Sequence, residues 1–254
     1  MMHALRVLKT VVFRLLGLVK WTAPAERSAL FAAALSLISL FAFVKIAEEM
    51  IEGGTEAFDT FVLLAFRDPA DLSNPIGPQW LETIMRDFTA LGGFAVLTAI
   101  TAIVVGFLFL TRKHHAAWMM MLSIVGGVLI SNLLKWSFSR PRPDLVPHGT
   151  EVYTQSFPSG HAMLSAIVYL TLGALLARTQ ADPRVKVYLL CSAGMLAFIV
   201  GISRIYLGVH WPTDVLAGWA VGAGWALLCW VAMVWLQGKG KVEQANGTLS
   251  ESQQ

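Results

Sequence analysis

Residues 116–143 read AAWMMMLSIVGGVLISNLLKWSFSRPRP, and the two halves of this stretch ask for different surroundings. From Ala116 to Leu134 there are 19 residues without a charge. A hydrocarbon core of about 30 Å takes roughly 20 apolar residues in a helix, so this half reads as a membrane span. Lys135, Arg140 and Arg142 then follow within eight residues, among Ser and Pro. Charges at the end of a span are costly and mark function.

Outward from this stretch the same signal repeats. The expected spans are Ser28–Val44, Thr89–Leu110, Ala116–Leu134, His161–Ala177, Val187–Ile202 and Val215–Leu236. The whole chain agrees: 254 residues, 56% hydrophobic and only 14% charged, where soluble domains carry about 25% charge. That composition excludes a disordered chain. Two cysteines, Cys191 and Cys229, exclude a disulfide scaffold and read as small buried hydrophobes. The net charge of +3 is spread between spans and not gathered in a stripe, so no nucleic-acid partner is expected. The predicted fold is all-α, a six-transmembrane-helix bundle in one domain over residues 28–237.

Residues 1–27 precede the first span. Leu5, Leu8, Val12, Leu15, Leu16 and Val19 recur at helical spacing, with Arg6, Lys9, Arg14 and Lys20 off that face. This predicts a basic amphipathic helix lying on an anionic membrane surface. With the N-terminus inside, the cytoplasmic segments hold 12 of the 19 basic residues and four of the 16 acidic ones. An N-in, C-in topology follows. The segment from Lys45 to Phe88 is long and acidic, with a short amphipathic helix expected around Phe58–Phe66. The polar tail over residues 238–254 is expected to be disordered.

This topology brings three polar islands to one outer face: Lys135–Pro143, Pro158-Ser159-Gly160-His161, and Ser203-Arg204 with His210 and Asp214. Lys135, Arg142 and Arg204 supply fixed positive charge and many N–H donors for phosphate oxygens. Ser159 and Gly160 stand where a loop enters a helix, so backbone N–H groups and the helix dipole favour an anion there. Asp214, four residues after His210, can accept the Nδ1–H and leave Nε2 free to attack phosphorus. His161 is placed to protonate the leaving oxygen. The chemistry suggested is a phosphohistidine on His210, hydrolysed with His161 as base. Lys and Arg neutralise the charge, so no cofactor and no metal are expected.

The pattern Lys135-x6-Arg142-Pro143, Pro158-Ser159-Gly160-His161, Ser203-Arg204-x5-His210-x3-Asp214 resembles the type 2 phosphatidic acid phosphatase superfamily. The motifs occur in order, 14 and 41 residues apart, and anchor residues 90–236. The resemblance implies a six-helix membrane phosphatase acting on lipid phosphates or diphosphates. In that family His210 would be the nucleophile, His161 the acid and Asp214 the orienting group. Lys135, Arg142, Ser159, Gly160 and Arg204 would bind phosphate. The expected substrate is a lipid phosphate such as undecaprenyl diphosphate, phosphatidylglycerophosphate or phosphatidic acid, with the 1-phosphate of lipid A next. The expected location is a bacterial inner membrane, with the site facing the periplasm or cell exterior.

Competing readings are a lipid phosphotransferase, a non-enzymatic lipid transporter or scaffold, and a vanadium haloperoxidase, the last disfavoured by the six spans. Around the pocket, Arg140 is expected to serve lipid headgroups or structure, and Asp144 and Glu151 a solvated loop. His3, His114, His115 and His148 carry no expected role. Gly218 and Gly222 should pack inside the chain's own bundle. Met119–Met121 and the nine Trp are expected to face lipid or its interface. Trp211 and Pro212 should stiffen the turn that starts the last span.

Overall fold

The computed structural model describes residues 24–147 and 154–238. The amphipathic helix expected over residues 1–27 lies outside them up to residue 23, and so does the polar tail after Gly238. In chain order the elements are α1 (Pro24–Ile51), α2 (Glu56–Leu64), β1 (Arg67–Asp68), β2 (Asp71–Pro75), α3 (Gln79–Leu91) and α4 (Phe94–Leu110). There follow α5 (His114–Ser137), α6 (Gly160–Arg178), α7 (Pro183–Tyr206) and α8 (Pro212–Gly238). Helices α1, α5, α6, α7 and α8 are each long and apolar enough to cross a membrane, and α3 with α4 makes a sixth if the bent pair is one span.

Three expectations need correction. The second span is not a straight helix from Thr89 to Leu110: α3 and α4 meet at a 48° bend. The break falls at Gly92-Gly93, where Gly93 is extended (φ −72°, ψ 149°). A side chain at Gly92 would run into Val200 of α7 and come within 3.4 Å of the His161 ring. Secondly, α1 continues through Ile51, well past Val44. Thirdly, the segment between the first two spans holds more than the short helix expected around Phe58–Phe66, which is observed as α2: a two-stranded antiparallel hairpin and α3 follow it, so the molecule is not purely helical.

The bundle is built on close approach. Helix α1 lies along α8, α7 along α6, and α6 along α8. At Gly218 an added Cβ would meet the Ser159 carbonyl oxygen at 2.7 Å, and at Gly222 the Met163 carbonyl oxygen at 2.5 Å. Small residues let such backbones approach without side chains between them. Both glycines therefore pack within this chain, as expected.

Some residues assigned to lipid are instead internal. Trp219 Nε1 donates to the Ala197 carbonyl at 3.0 Å, and Trp225 Nε1 donates to the Ser123 carbonyl at 2.7 Å. Met120 is fully buried, whereas Cys191 is exposed. Phe31, Phe41, Phe94, Ile103 and Leu110 form the outward apolar surface.

The alternating helices bring the C-terminal ends of α5 and α7 beside the N-terminal ends of α6 and α8. Lys135 and Arg204 sit in the last turns of α5 and α7, where a cation complements the helix dipole. Beneath this end lies a core of Leu63, Val146, Ala162, Ile205 and Val215, which ties α2 to the motif-bearing helices.

Candidate active site

The turn 207–211 between α7 and α8 carries His210. Gly208 adopts φ +71°, a left-handed conformation that glycine takes without strain. A Cβ there would also collide with Arg67 Nη2 at 2.7 Å and Val146 at 2.6 Å. Arg67 closes the turn from outside by donating to the Tyr206 carbonyl at 3.0 Å. His210 is 1% exposed and precedes α8, so it does not share a helix with Asp214. The two still meet: Nδ1 lies 3.4 Å from Asp214 Oδ2.

Asp214 is the hub of the site and is fully buried. Its Oδ2 accepts from Trp211 N–H at 2.9 Å and from the Ser156 hydroxyl; its Oδ1 accepts from Arg140 Nη1 at 2.7 Å. The Trp211 bond is half of a capping box, an acid in the first turn reaching back to the N-cap amide.

On the far side of the ring, Nε2 lies 3.2 Å from Arg142 Nη1. A guanidinium only donates, so Nε2 presents its lone pair and the neutral ring carries its proton on Nδ1, towards Asp214. Burial, then the charges of Arg204, Arg142 and Lys135, pulls the His210 pKa well below the ordinary histidine range. Burial likewise lowers the Arg142 pKa, against the opposing pull of Asp214.

Three cations converge without an acidic partner among the described residues. Lys135 Nζ donates to Thr154 Oγ1 at 3.1 Å and the Gln155 carbonyl at 2.9 Å. Arg142 is held by the Thr154 carbonyl at 2.8 Å and the Val209 carbonyl at 2.6 Å. Arg204, 3% exposed, donates from Nη1 to Thr89 Oγ1 at 2.8 Å, and its Nε has no partner among the described residues. Buried positive charge left unpaired in this way is costly unless an anion completes it.

The start of α6 completes the pocket with one change from expectation. Ser159 N–H is not free for an anion, because it donates to the Asp214 carbonyl at 2.9 Å. The first helical bond of α6 runs from Met163 N–H to the Ser159 carbonyl, leaving the amides of Gly160, His161 and Ala162 as the open ones. Ser159 Oγ is buried without a partner among the described residues. The His161 ring makes no hydrogen bond among the described residues, and it lies within electrostatic reach of Arg204, His210, Arg142 and Lys135. Lys135, Arg142, Ser159, Gly160, His161, Arg204, His210 and Asp214 are thus brought to one place.

Arg140 points elsewhere. It bridges Asp214 and Asp59, at 2.7 and 2.6 Å, and stacks over Trp211. The motif reading missed five buried residues: Thr89, bonded to Arg204, Ser156, bonded to Asp214, and Asp59, Thr55 and Thr213, which bond Arg140. Ser156 and Thr213 stood within the motif neighbourhood, two residues before Pro158 and one before Asp214.

The sequence profile of the PAP2 superfamily matches residues 116–237, which hold all three motifs. Phosphatidylglycerophosphatase B of Bacillus subtilis is 37% identical over 150 residues, spanning 58% of this chain and 72% of that protein. The lipid A 1-phosphatase of Rhizobium johnstonii is 34% identical over 116 residues, and the undecaprenyl-diphosphatase of Sulfolobus acidocaldarius 32% identical over 99. The chain spans less than half the length of these last two, 43% and 42%. The crystal structure of a transmembrane PAP2-type phosphatidylglycerolphosphate phosphatase from Bacillus subtilis superposes with a TM-score of 0.64 at 29% identity. It covers 84% of this chain and 97% of its own.

Proposed function

The chain belongs to the PAP2 superfamily and is a membrane-embedded phosphoric monoester hydrolase; from this premise we propose that it hydrolyses a lipid phosphate or diphosphate through a phosphohistidine on His210. The observation that carries the mechanism is the buried Nε2, held as a lone pair by the tautomer that Asp214 favours, facing Arg142.

A substrate phosphoryl group displaces the Arg142–His210 contact and takes the donors of Lys135, Arg142, Arg204 and the α6 amides. Nε2 then attacks phosphorus, and the bond to the leaving oxygen breaks. His161 gives that oxygen its proton, while Asp214 stabilises the ring that has become positive. Water next attacks the phosphohistidine, His161 takes its proton, the P–N bond breaks, and inorganic phosphate leaves. For a diphosphate the leaving group is the lipid monophosphate. Three guanidinium or ammonium groups neutralise the equatorial oxygens, so this route needs no metal.

The substrate reading favours phosphatidylglycerophosphate, undecaprenyl diphosphate or phosphatidic acid, with the lipid A 1-phosphate as the alternative. It is supported by the names of the relatives and by a pocket at the end of the bundle, where a headgroup sits. The charge map supports an N-in, C-in orientation in a bacterial inner membrane, with this pocket on the periplasmic or outer side. The test is phosphate release by the purified full chain in detergent, with EDTA, across those four lipids. Release from one of them without added metal is expected, and an absolute metal requirement overturns the mechanism.

A further inference from the structure

Asp59 stands outside all three motifs and outside the residues matched to the family, on the short helix α2. It is fully buried, yet it belongs to a segment of exposed carboxylates: Glu48, Glu49, Glu52 and Glu56 are all exposed. Its Oδ1 accepts from Thr213 N–H at 2.8 Å, and its Oδ2 accepts from Thr213 Oγ1 and Arg140 Nη2, both at 2.6 Å. Thr213 is the second residue of α8, so Asp59 caps that helix from a distant part of the chain. A carboxylate there satisfies an amide that the helix itself leaves open and favours the positive end of its dipole.

We propose that Asp59 is a positioning residue for the Asp214–His210 pair, acting through Arg140 and the first turn of α8. The inference rests on the phosphohistidine reading above. Arg140 holds Asp214 by one N–H, from Nη1 to Oδ1, because its other arm is engaged by Asp59. Guanidinium and carboxylate otherwise prefer a two-bond fork. Without Asp59, Arg140 swings onto both oxygens of Asp214 and takes Oδ2 from His210 Nδ1, Trp211 N–H and Ser156. The ring then loses the acceptor that selects its tautomer, and Nε2 loses its lone pair for part of the time. Arg140 is set in the same frame by Thr213 Oγ1 at 2.8 Å and Thr55 Oγ1 at 3.3 Å.

The experiment compares the full-length protein with Asp59→Asn, Arg140→Gln and the double variant, by lipid phosphate release and by the ¹⁵N signals of histidine-labelled protein. In Asp59→Asn, kcat is expected to fall at least about ten-fold with KM within about two-fold, since the phosphate donors are untouched. The His210 ring should lose its single Nδ1–H tautomer, and the double variant should be no worse than the poorer single one. A kcat within about two-fold of wild type with unchanged ring signals, or losses that multiply in the double variant, overturns the role. If Asp59→Asn does not fold, Asp59→Glu keeps the charge, shifts it by a methylene and carries the same expectations. Wild-type protein that releases no phosphate defeats the functional reading, and the ring signals then still decide the positioning role.

Discussion

His210 shows how a residue's surroundings can set its chemistry before any substrate arrives. Its pKa is lowered, chiefly by burial, so the folded protein binds that proton less readily than the unfolded chain, where histidine titrates near 6.5. The neutral ring should therefore persist as pH falls through the ordinary histidine range of about 6.5, and this part of stability is lost as pH drops below about 6.5. A ¹⁵N titration checks this: unchanged His210 signals over that range are expected, and a midpoint near 6.5 contradicts it. Arg204 gives a second expectation. Among the described residues it is buried with no carboxylate and an unpaired Nε, so Arg204→Met should leave thermal stability equal or higher while phosphate release is lost. A lower unfolding temperature would show that Arg204 serves the fold. Such residues were legible in the sequence because charge beside an apolar span has few bland explanations. Asp59 and Thr213 were not, since their bonds join positions 154 apart and their side chains look like ordinary loop and helix-start residues.

Among the elements, the α6–α8 seam fixes the site most directly, because Ser159, Gly160 and His161 begin α6 while Thr213 and Asp214 begin α8. Gly218→Leu inserts a side chain against the Ser159 carbonyl, which a Cβ alone would approach to 2.7 Å. Overpacking of this kind costs about 1–3 kcal/mol, and a displacement near 1 Å at a reacting group costs on the order of 100-fold in rate. Phosphate release should thus fall much further than the unfolding temperature. Gly194→Ala on α7, which meets nothing within 4 Å, should change neither, and equal losses in both variants would remove the seam from the account. Spans were readable from apolar run length, which is why α5, α6, α7 and α8 emerged close to their observed limits. The bend at Gly92-Gly93 was not readable. Gly92 is crowded there by Val200 and His161 from other helices, and an apolar run carries no trace of such contacts. Helix α2 was expected close to its observed limits, but α3 and the hairpin were hidden in a turn-rich stretch. What the sequence did not show in α2 is the burial of Leu63 and Asp59 against the bundle.

For the whole molecule, the charge pattern of the sequence predicts a basic cytoplasmic side, and Lys135, Arg142 and Arg204 converge at one end of the helices. With native cysteines replaced, Lys113→Cys should react with an impermeant maleimide only after permeabilisation, and Asn74→Cys in intact spheroplasts. The reverse pattern would invert the orientation. The fold class was legible from composition, and the pocket's ligands from three motifs that the topology carried to one face. The frame holding them, from α2, the hairpin and α3, needed the structure, because it is built from contacts between distant segments. The central claim is the covalent step, and an acid-labile, base-stable label tests it most directly. Full-length protein given ³²P-labelled substrate in EDTA and quenched during turnover should carry phosphate on His210, and His210→Ala should carry none and release none. Normal phosphate release with an unlabelled chain, or continued turnover by His210→Ala, would contradict it.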